Sequence, residues 1–219
     1  MLAAFAVTAL AYGRAGVRDL ISRMFRWRIG PGWLVFAAGS PLAVYLASAV
    51  AMRVTGSDWP RWSDLGRFGG LPELGVPLVW LSIVLLNGFG EEVGWRGFAL
   101  PHLRKNRTLL RSALILAAPW AIWHLPSFLF IETYREIGAT ILPGFFLGIA
   151  AGSIVFAWLY EKTGGSILAV ALWHGSYNLV SATVAARGVP AAVVSTAVMI
   201  GAGVIAVREL RHCNSDKEA

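Results

Sequence analysis

The feature that most constrains the fold is a series of apolar stretches, each long enough to cross a lipid bilayer and separated by short charged loops. A membrane-spanning helix needs roughly 17–25 apolar residues to cross about 30 Å of hydrocarbon. Only 14% of the residues are charged, against about 25% in a typical soluble domain. The sequence predicts an all-α, polytopic transmembrane helical bundle with about six or seven spans, at approximately 33–53, 76–100, 112–131, 142–160, 166–184 and 188–207, after a short first segment.

The two ends of the chain are less informative than its middle. Residues 1–12 are apolar but short for a span, and they lack the basic start and small-residue cleavage site of a signal peptide. A short first helix is therefore favoured, and whether it forms a full span stays open. Residues 208–219 are predicted to be a polar cytoplasmic tail. Cys213, the single cysteine, lies there and is interpreted as part of the solvated tail. We treat 1–219 as a single membrane domain.

The distribution of charge predicts how the chain is oriented. Residues 14–28 carry five Arg against one Asp, and 102–111 carry four basic residues and no acid. The loops 55–75 and 132–141 together carry five acidic residues against three Arg, which suits the outer side. Under the positive-inside rule the basic segments are cytoplasmic, as is the C-terminus. The net charge of +7 is explained by these span ends, so no nucleic-acid partner is expected. The amino-acid composition, rich in Ala, Gly, Arg and Trp, suggests a bacterium with a GC-rich genome. The predicted location is therefore the bacterial cytoplasmic membrane.

Polar side chains inside the spans indicate a functional site. A charged group at the centre of a span costs about 2.5–3.5 kcal/mol on insertion scales, so each one needs a reason. Here such residues are confined to three predicted spans, and they are Glu91, Glu92 and Arg96, then His124, then His174 and Asn178. Their positions along the helices place them at similar depths, in the cytoplasmic half or near the midplane. We expect them to form one shared site.

Helical spacing assigns faces to these residues. Glu92 and Arg96 are four residues apart with the acid first, the better orientation for an ion pair. His174 and Asn178 have the same spacing and project from one face. Glu91 points about 100° away from Glu92. The spacing therefore predicts a Glu92–Arg96 ion pair and leaves Glu91 to face the cavity.

These residue types are the ones needed to hydrolyse an amide without a covalent intermediate. A carboxylate in a low-dielectric cavity is a stronger base than in water, and histidine can orient or deprotonate a water molecule. An Asn amide and a His N–H can donate to an oxyanion as a carbonyl is attacked. Taken singly, His124 is equally well explained as a structural hydrogen-bonding residue, and a structural role is the less favoured alternative for the His174–Asn178 pair.

Small residues also recur within the predicted spans. Gly144, Gly148 and Gly152 make two successive GxxxG steps, a spacing that favours close helix packing. The general abundance of glycine in membrane helices explains the pattern equally well.

The three polar motifs together resemble those of a known family. EEVGWR at 91–96, His124, and HGSYN at 174–178 are similar to the EExxxR, FxxxH and HxxxN motifs of the CAAX-protease and bacteriocin-processing (CPBP) family of intramembrane peptidases. This family is also called abortive-infection or type II CAAX prenyl endopeptidase-like. The resemblance covers roughly 76–184. One departure is visible, because Trp120 stands where the second motif has phenylalanine.

The resemblance implies an intramembrane endopeptidase whose site opens towards membrane and cytosol. Transferred by position, Glu91 would activate the attacking water with help from His124. His174 and Asn178 would hold the oxyanion, while the remaining two motif residues, Glu92 and Arg96, would support the site. The family has been described both as metalloproteases and as glutamic peptidases. We favour catalysis without a cofactor, and the alternative is zinc held by Glu91, His124 and His174.

Other functions remain open at this stage. A proton- or cation-coupled transporter also carries intramembrane acids and histidines, although no internal repeat of the kind typical of transporters is visible. A non-catalytic immunity or scaffold protein of the same fold is a further alternative. For a peptidase, the expected partners are membrane lipid and a membrane-associated peptide or protein, such as a prenylated tail, a bacteriocin or pheromone leader, or an anchored regulator. The oligomeric state is not predicted.

Overall fold

A computed structural model describes the backbone of residues 1–218 and their side chains, except those of 133 and 212–218. Cys213 and His212 therefore lie outside the described side chains. Within the described part the chain folds into seven helices, which are α1 (Leu2–Met24), α2 (Pro31–Val54), α3 (Val76–Arg104), α4 (Leu109–His124), α5 (Leu142–Lys162), α6 (Ile167–Ser181) and α7 (Val189–Glu218). Short helical turns at Ser127–Phe130 and Glu132–Arg135 follow α4.

Five helices in the described part are long and apolar enough to span a membrane. They are α2, α3, α5, α4 together with its following turn, and residues Val189–Arg211 of α7. The predicted polytopic helical bundle is thus confirmed. The predicted span 166–184 differs, because α6 has only 15 residues, or about 22 Å of helix. Most of α6 is buried among the other helices, so its length need not match the bilayer.

Helix α1 is broken near its middle. Gly13 has φ 60° and ψ −157°, a conformation that glycine adopts without the steric cost other residues meet. The segment before it, 2–12, is therefore half a helix rather than an independent span. The Tyr12 hydroxyl hydrogen-bonds His102 Nε2 at 2.7 Å, and Arg23 donates to the Gly97 carbonyl at 2.7 Å. These contacts fasten α1 to α3.

Helix α6 occupies the centre of the bundle and packs against α2, α3, α5 and α7. Its contact with α3 is a close approach of two backbones. A Cβ added to Gly88 would lie 2.6 Å from the Ala171 carbonyl oxygen, and one added to Gly175 would lie 3.0 Å from Val84 Cα. Only glycine fits at these positions, and the approach brings the acidic segment of α3 next to His174.

The GxxxG steps of α5 do not make such a backbone contact. A Cβ on Gly144 would meet nothing within 4 Å, and one on Gly148 would meet only the side chain of Met199, at 3.8 Å. Gly152 lies against the ring of Trp120, at 3.6 Å. The glycines that allow two helix backbones to approach closely are therefore Gly88, just before the first motif, and Gly175, within the third.

The acidic segment of α3 lies between two π-helical turns. Val84–Phe89 and Trp95–Ala99 are π-helical, and Gly90–Gly94 between them is α-helical. The predicted span 76–100 lies within the spanning helix Val76–Arg104, and the two π-helical turns inside it were not predicted. Such π-turns are rare and occur frequently at functional sites. They rotate the acidic segment relative to the rest of α3, and this changes which residues face α4 and α6.

Candidate active site

Glu92 is the buried centre of the polar cluster. Its side chain is fully enclosed, and its Oε1 accepts hydrogen bonds from His174 Nδ1 at 2.9 Å and Arg96 Nη1 at 3.1 Å. The same guanidinium nitrogen lies 3.0 Å from Oε2. The predicted Glu92–Arg96 ion pair is confirmed. The additional bond to His174 ties α3 to α6 through a charged hydrogen bond, which is stronger than a neutral one.

Arg96 is fully buried between two aromatic rings. Its Cζ lies 4.5 Å from the centroid of Trp120 on α4 and 4.6 Å from that of Phe156 on α5. Its Nε and Nη2 have no hydrogen-bond partner among the described residues. The π faces of the two rings supply a favourable environment for the cation in place of those hydrogen bonds. Arg96 thereby joins α3, α4 and α5.

Glu91 has different surroundings from its neighbour Glu92. Its side chain is half-buried, and Oε2 accepts a hydrogen bond of 2.7 Å from Trp120 Nε1. Its Oε1 makes no hydrogen bond within the described part of the chain. The two adjacent carboxylates are therefore held by separate partners, and one oxygen of Glu91 is left free to contact a water molecule or substrate.

His124 is oriented by the backbone of its own helix. Its Nδ1 donates to the Trp120 carbonyl at 2.7 Å, so Nε2 is the nitrogen available for chemistry. The imidazole lies edge-on to the Trp120 ring at 5.7 Å and to Phe145 at 5.8 Å, and it stacks on Tyr134 at 6.2 Å. These three rings hold it in one orientation.

His174 and Asn178 occupy one face of α6. Because the Glu92 carboxylate only accepts hydrogen bonds, the proton of the His174–Glu92 bond belongs to Nδ1 of His174. His174 Nε2 therefore carries a lone pair in the neutral ring and a proton only in the imidazolium. Asn178 is half-buried, and its amide makes no hydrogen bond to any residue that the structure describes. Its N–H groups remain available to an incoming carbonyl.

Tyr134 lies in the turn after α4 and stacks on His124. Burial raises the pKa of its phenol to about 12, and the nearby Glu91 and Tyr177 act in the same direction. The phenol is therefore a neutral hydrogen-bond donor throughout the physiological pH range. Nothing in the sequence pattern around Glu132–Arg135 distinguishes this tyrosine from an ordinary loop residue, and it was not predicted.

Comparison with known proteins matches the part of the chain that carries these residues. Residues 73–180, which include all six motif side chains, match the family described as type II CAAX prenyl endopeptidase Rce1-like. The chain is also 31% identical over 170 residues to the protein named CAAX prenyl protease 2 of Methanococcus maripaludis. The chain belongs to the CPBP family. The alignment covers 74% of this chain and 60% of that relative, so the chain spans well under the full length of the protein it matches.

The six motif residues of this CPBP member come from three helices that meet around Trp120. That ring contacts Glu91, Arg96, His124 and His174. From the sequence, Trp120 was identified only as a departure from the phenylalanine of the second motif, and its N–H bond to Glu91 was missed. The sequence did contain a sign of this bond, because tryptophan has an N–H donor and the phenylalanine of the family motif has none.

The described side chains contain no group of three or more His, Cys, Asp or Glu that could hold a metal ion. The ligands of the alternative zinc site, Glu91, His124 and His174, are not gathered into such a group. The bonds of His174 Nδ1 to Glu92 and of one Glu91 oxygen to Trp120 leave His174 Nε2 and the other Glu91 oxygen unengaged, so they do not themselves exclude a metal. Because the three side chains do not form a ligand group in the described structure, they do not fit a tetrahedral zinc centre as placed, and no step below is routed through a metal.

Proposed function

We propose that this protein is an intramembrane endopeptidase that hydrolyses a peptide bond with a water molecule activated by Glu91. The observation that carries the proposal is the separation of the two carboxylates. Glu92 is buried and neutralised by Arg96, whereas Glu91 is half-buried with one unengaged oxygen. A supporting acid and a reactive acid are thus distinguished by their surroundings, although they are adjacent in sequence.

In the proposed reaction, Glu91 accepts a proton as the water oxygen attacks the carbonyl carbon of the substrate. The carbonyl π electrons move onto oxygen, and Asn178 donates to the resulting oxyanion. Collapse of this intermediate breaks the C–N bond, and Glu91 returns the proton to the leaving nitrogen. His124 Nε2 hydrogen-bonds the water and helps to orient it.

The role of His174 in this scheme depends on its protonation. Since Nδ1 donates to Glu92, Nε2 can donate to an oxyanion only when His174 is an imidazolium. The carboxylate of Glu92 lies 2.9 Å from Nδ1 and is the acceptor that keeps a proton on that nitrogen.

The substrate proposed here is a membrane-associated peptide or protein. The motif residues of α3 and α4 lie within helices apolar enough to span a membrane, and α6 is mostly buried among its neighbours, so we expect an incoming chain to reach the site from the bilayer or its interface. The relative from Methanococcus maripaludis is named a prenyl protease, and a prenylated tail is one candidate. A peptide leader or a membrane-anchored protein is the other, and we favour it because the residue usage suggests a bacterium, in which protein prenylation is not expected.

The test is cleavage by the full chain reconstituted in liposomes, with two internally quenched peptides that differ only in a farnesyl-cysteine or a transmembrane anchor. We expect cleavage of at least one peptide by wild type and by Glu73→Ala, a change at an exposed acid, and none by Glu91→Ala. Mass spectrometry identifies the bond that is cut. Equal cleavage by Glu91→Ala would rule out the proposal.

A chelator added to the same assay tests whether a metal takes part. We propose catalysis without a resident metal, so the rate should be unchanged after dialysis against EDTA. A loss of activity that zinc restores would show that the side chains rearrange to bind metal, and it would replace this part of the proposal.

A further inference from the structure

Trp120 is the side chain on which the polar cluster converges. Its indole N–H donates to Glu91 at 2.7 Å, and its ring face lies 4.5 Å from the guanidinium carbon of Arg96. Its carbonyl oxygen accepts from His124 at 2.7 Å. Its ring is also edge-on to His174, with centroids 6.0 Å apart. One residue thus contacts side chains from all three motifs.

These contacts involve different parts of the residue and can be separated experimentally. The backbone carbonyl that holds His124 is present whatever the side chain. The π face that covers Arg96 would be present in any large aromatic residue. Only the contact with Glu91 requires the indole nitrogen, because tryptophan has no other hydrogen-bond donor in its side chain.

The indole itself is held firmly. Trp120 is 5% exposed and packs against Phe156, with ring centroids 5.5 Å apart. Gly152 of α5 packs beside its six-membered ring. A Cβ added to Gly152 would lie 3.6 Å from that ring, at ordinary van der Waals distance. A buried, packed indole can fix the direction of its N–H. Glu91, by contrast, is half-buried and has no other hydrogen-bond partner among the described residues.

We infer that Trp120 is a positioning residue of the proposed hydrolysis, whose N–H holds one oxygen of Glu91 so that the other faces the attacking water. This inference rests on the proposed function, and it adds a residue that acts through Glu91 rather than on the substrate. Without the N–H, the carboxylate can rotate about its side-chain bonds, and fewer of its conformations present an oxygen to the water. Substrate binding does not use this contact, so KM should change little.

The test is Trp120→Phe, which keeps an aromatic face for Arg96 and the backbone carbonyl for His124. Trp123→Phe is the matched control, because Trp123 lies one turn away on α4 and is 60% exposed. With whichever of the two quenched peptides the wild type cleaves, Trp120→Phe should lower kcat by about tenfold to a hundredfold, the range for a hydrogen bond to a charged group. KM should stay within a factor of about two, and Trp123→Phe should match wild type.

A second variant separates the effect of losing the N–H from the effect of the smaller phenylalanine ring. Replacing the indole nitrogen at position 120 with sulfur, by incorporating benzothienylalanine at that codon, keeps the bicyclic shape and removes only the donor. It should show the same loss of kcat as Trp120→Phe. Full activity of the sulfur analogue would overturn the inference and assign the effect of Trp120→Phe to packing.

A spectroscopic measurement tests the hydrogen bond without depending on catalysis. In ¹⁵N-labelled protein, the indole resonance absent from Trp120→Phe identifies Trp120. Glu91→Ala should move this resonance and leave that of Trp123 in place. An unmoved Trp120 resonance would contradict the inference even if neither peptide is cleaved. Conversely, a moved resonance without peptide cleavage would leave the Trp120–Glu91 contact standing and count against the proposed function alone.

Discussion

Gly88→Ala is the sharpest test of the packing that assembles the site. Gly88 lies on α3 at its close approach to α6, three residues before Glu91. A Cβ there would lie 2.6 Å from the Ala171 carbonyl oxygen and 3.1 Å from Ala171 Cα. Both are backbone atoms, so a rotamer change cannot relieve the clash. The two helices would have to move apart by about 0.8 Å to restore ordinary van der Waals contact.

That displacement acts directly on the polar cluster. The His174–Glu92 hydrogen bond joins the same two helices at 2.9 Å, and lengthening it by that amount, to about 3.7 Å, would abolish it. Misplacing catalytic groups by about 1 Å can lower a rate by about 100-fold. Overpacking of a helix interface typically costs about 1–3 kcal/mol of stability. We therefore expect Gly88→Ala to be folded, moderately destabilised and about 100-fold slower.

Gly94→Ala is the matched control on the same helix. Gly94 also lies beside the acidic pair, but a Cβ there would meet nothing within 4 Å. Because alanine favours a helix over glycine by about 1 kcal/mol, this variant should be as stable as wild type or more so. The assays are thermal unfolding in detergent and peptide cleavage in liposomes. If Gly88→Ala matched Gly94→Ala in both assays, the close helix approach would not be what positions the site.

Three further predictions concern the buried pair, the tyrosine and the orientation of the chain. Arg96→Ala should lower the free energy of unfolding by about 3–5 kcal/mol, since it leaves Glu92 buried without its counter-ion; an unchanged denaturation midpoint would contradict this. Tyr134 should ionise only near pH 12, so the ultraviolet difference between wild type and Tyr134→Phe should show no phenolate below about pH 11; a phenolate signal near pH 10 would refute it. Cys213, the single cysteine, should react with an impermeant maleimide in inverted vesicles and not in intact cells, and the reverse pattern would reverse the predicted topology.

Much of the fold and part of the site could be predicted from the sequence. The lengths of the apolar stretches identified the five long membrane helices, because the thickness of the hydrocarbon core sets a minimum length for a spanning helix. The spacing of Glu92 and Arg96 predicted their ion pair, since helix geometry alone brings positions four apart together. The assignment of the family followed from three motifs in order, and the comparisons confirmed it.

The remaining features depend on tertiary packing and could not be predicted in this way. Helix α6 is shorter than the predicted span because its neighbours, rather than lipid, surround it. The π-turns on either side of Gly90–Gly94 alter the helical phase without a pattern in the apolar residues. The hydrogen bond between Trp120 and Glu91 joins residues on different helices. Helical periodicity relates only residues on the same helix, so it could not predict this bond. The catalytic roles of the six motif residues stay predictions.

The central claim is that Glu91, and not its neighbour, activates the water that cleaves the substrate. The most direct measurement is the single-turnover cleavage rate of Glu91→Gln in liposomes, compared with Glu73→Gln at an exposed acid. Glutamine keeps the size of the side chain and an oxygen that can accept from Trp120, but it cannot take the proton. We predict a fall of at least about 1000-fold for Glu91→Gln and the wild-type rate for Glu73→Gln. A Glu91→Gln protein that cleaves at the rate of wild type would contradict the account.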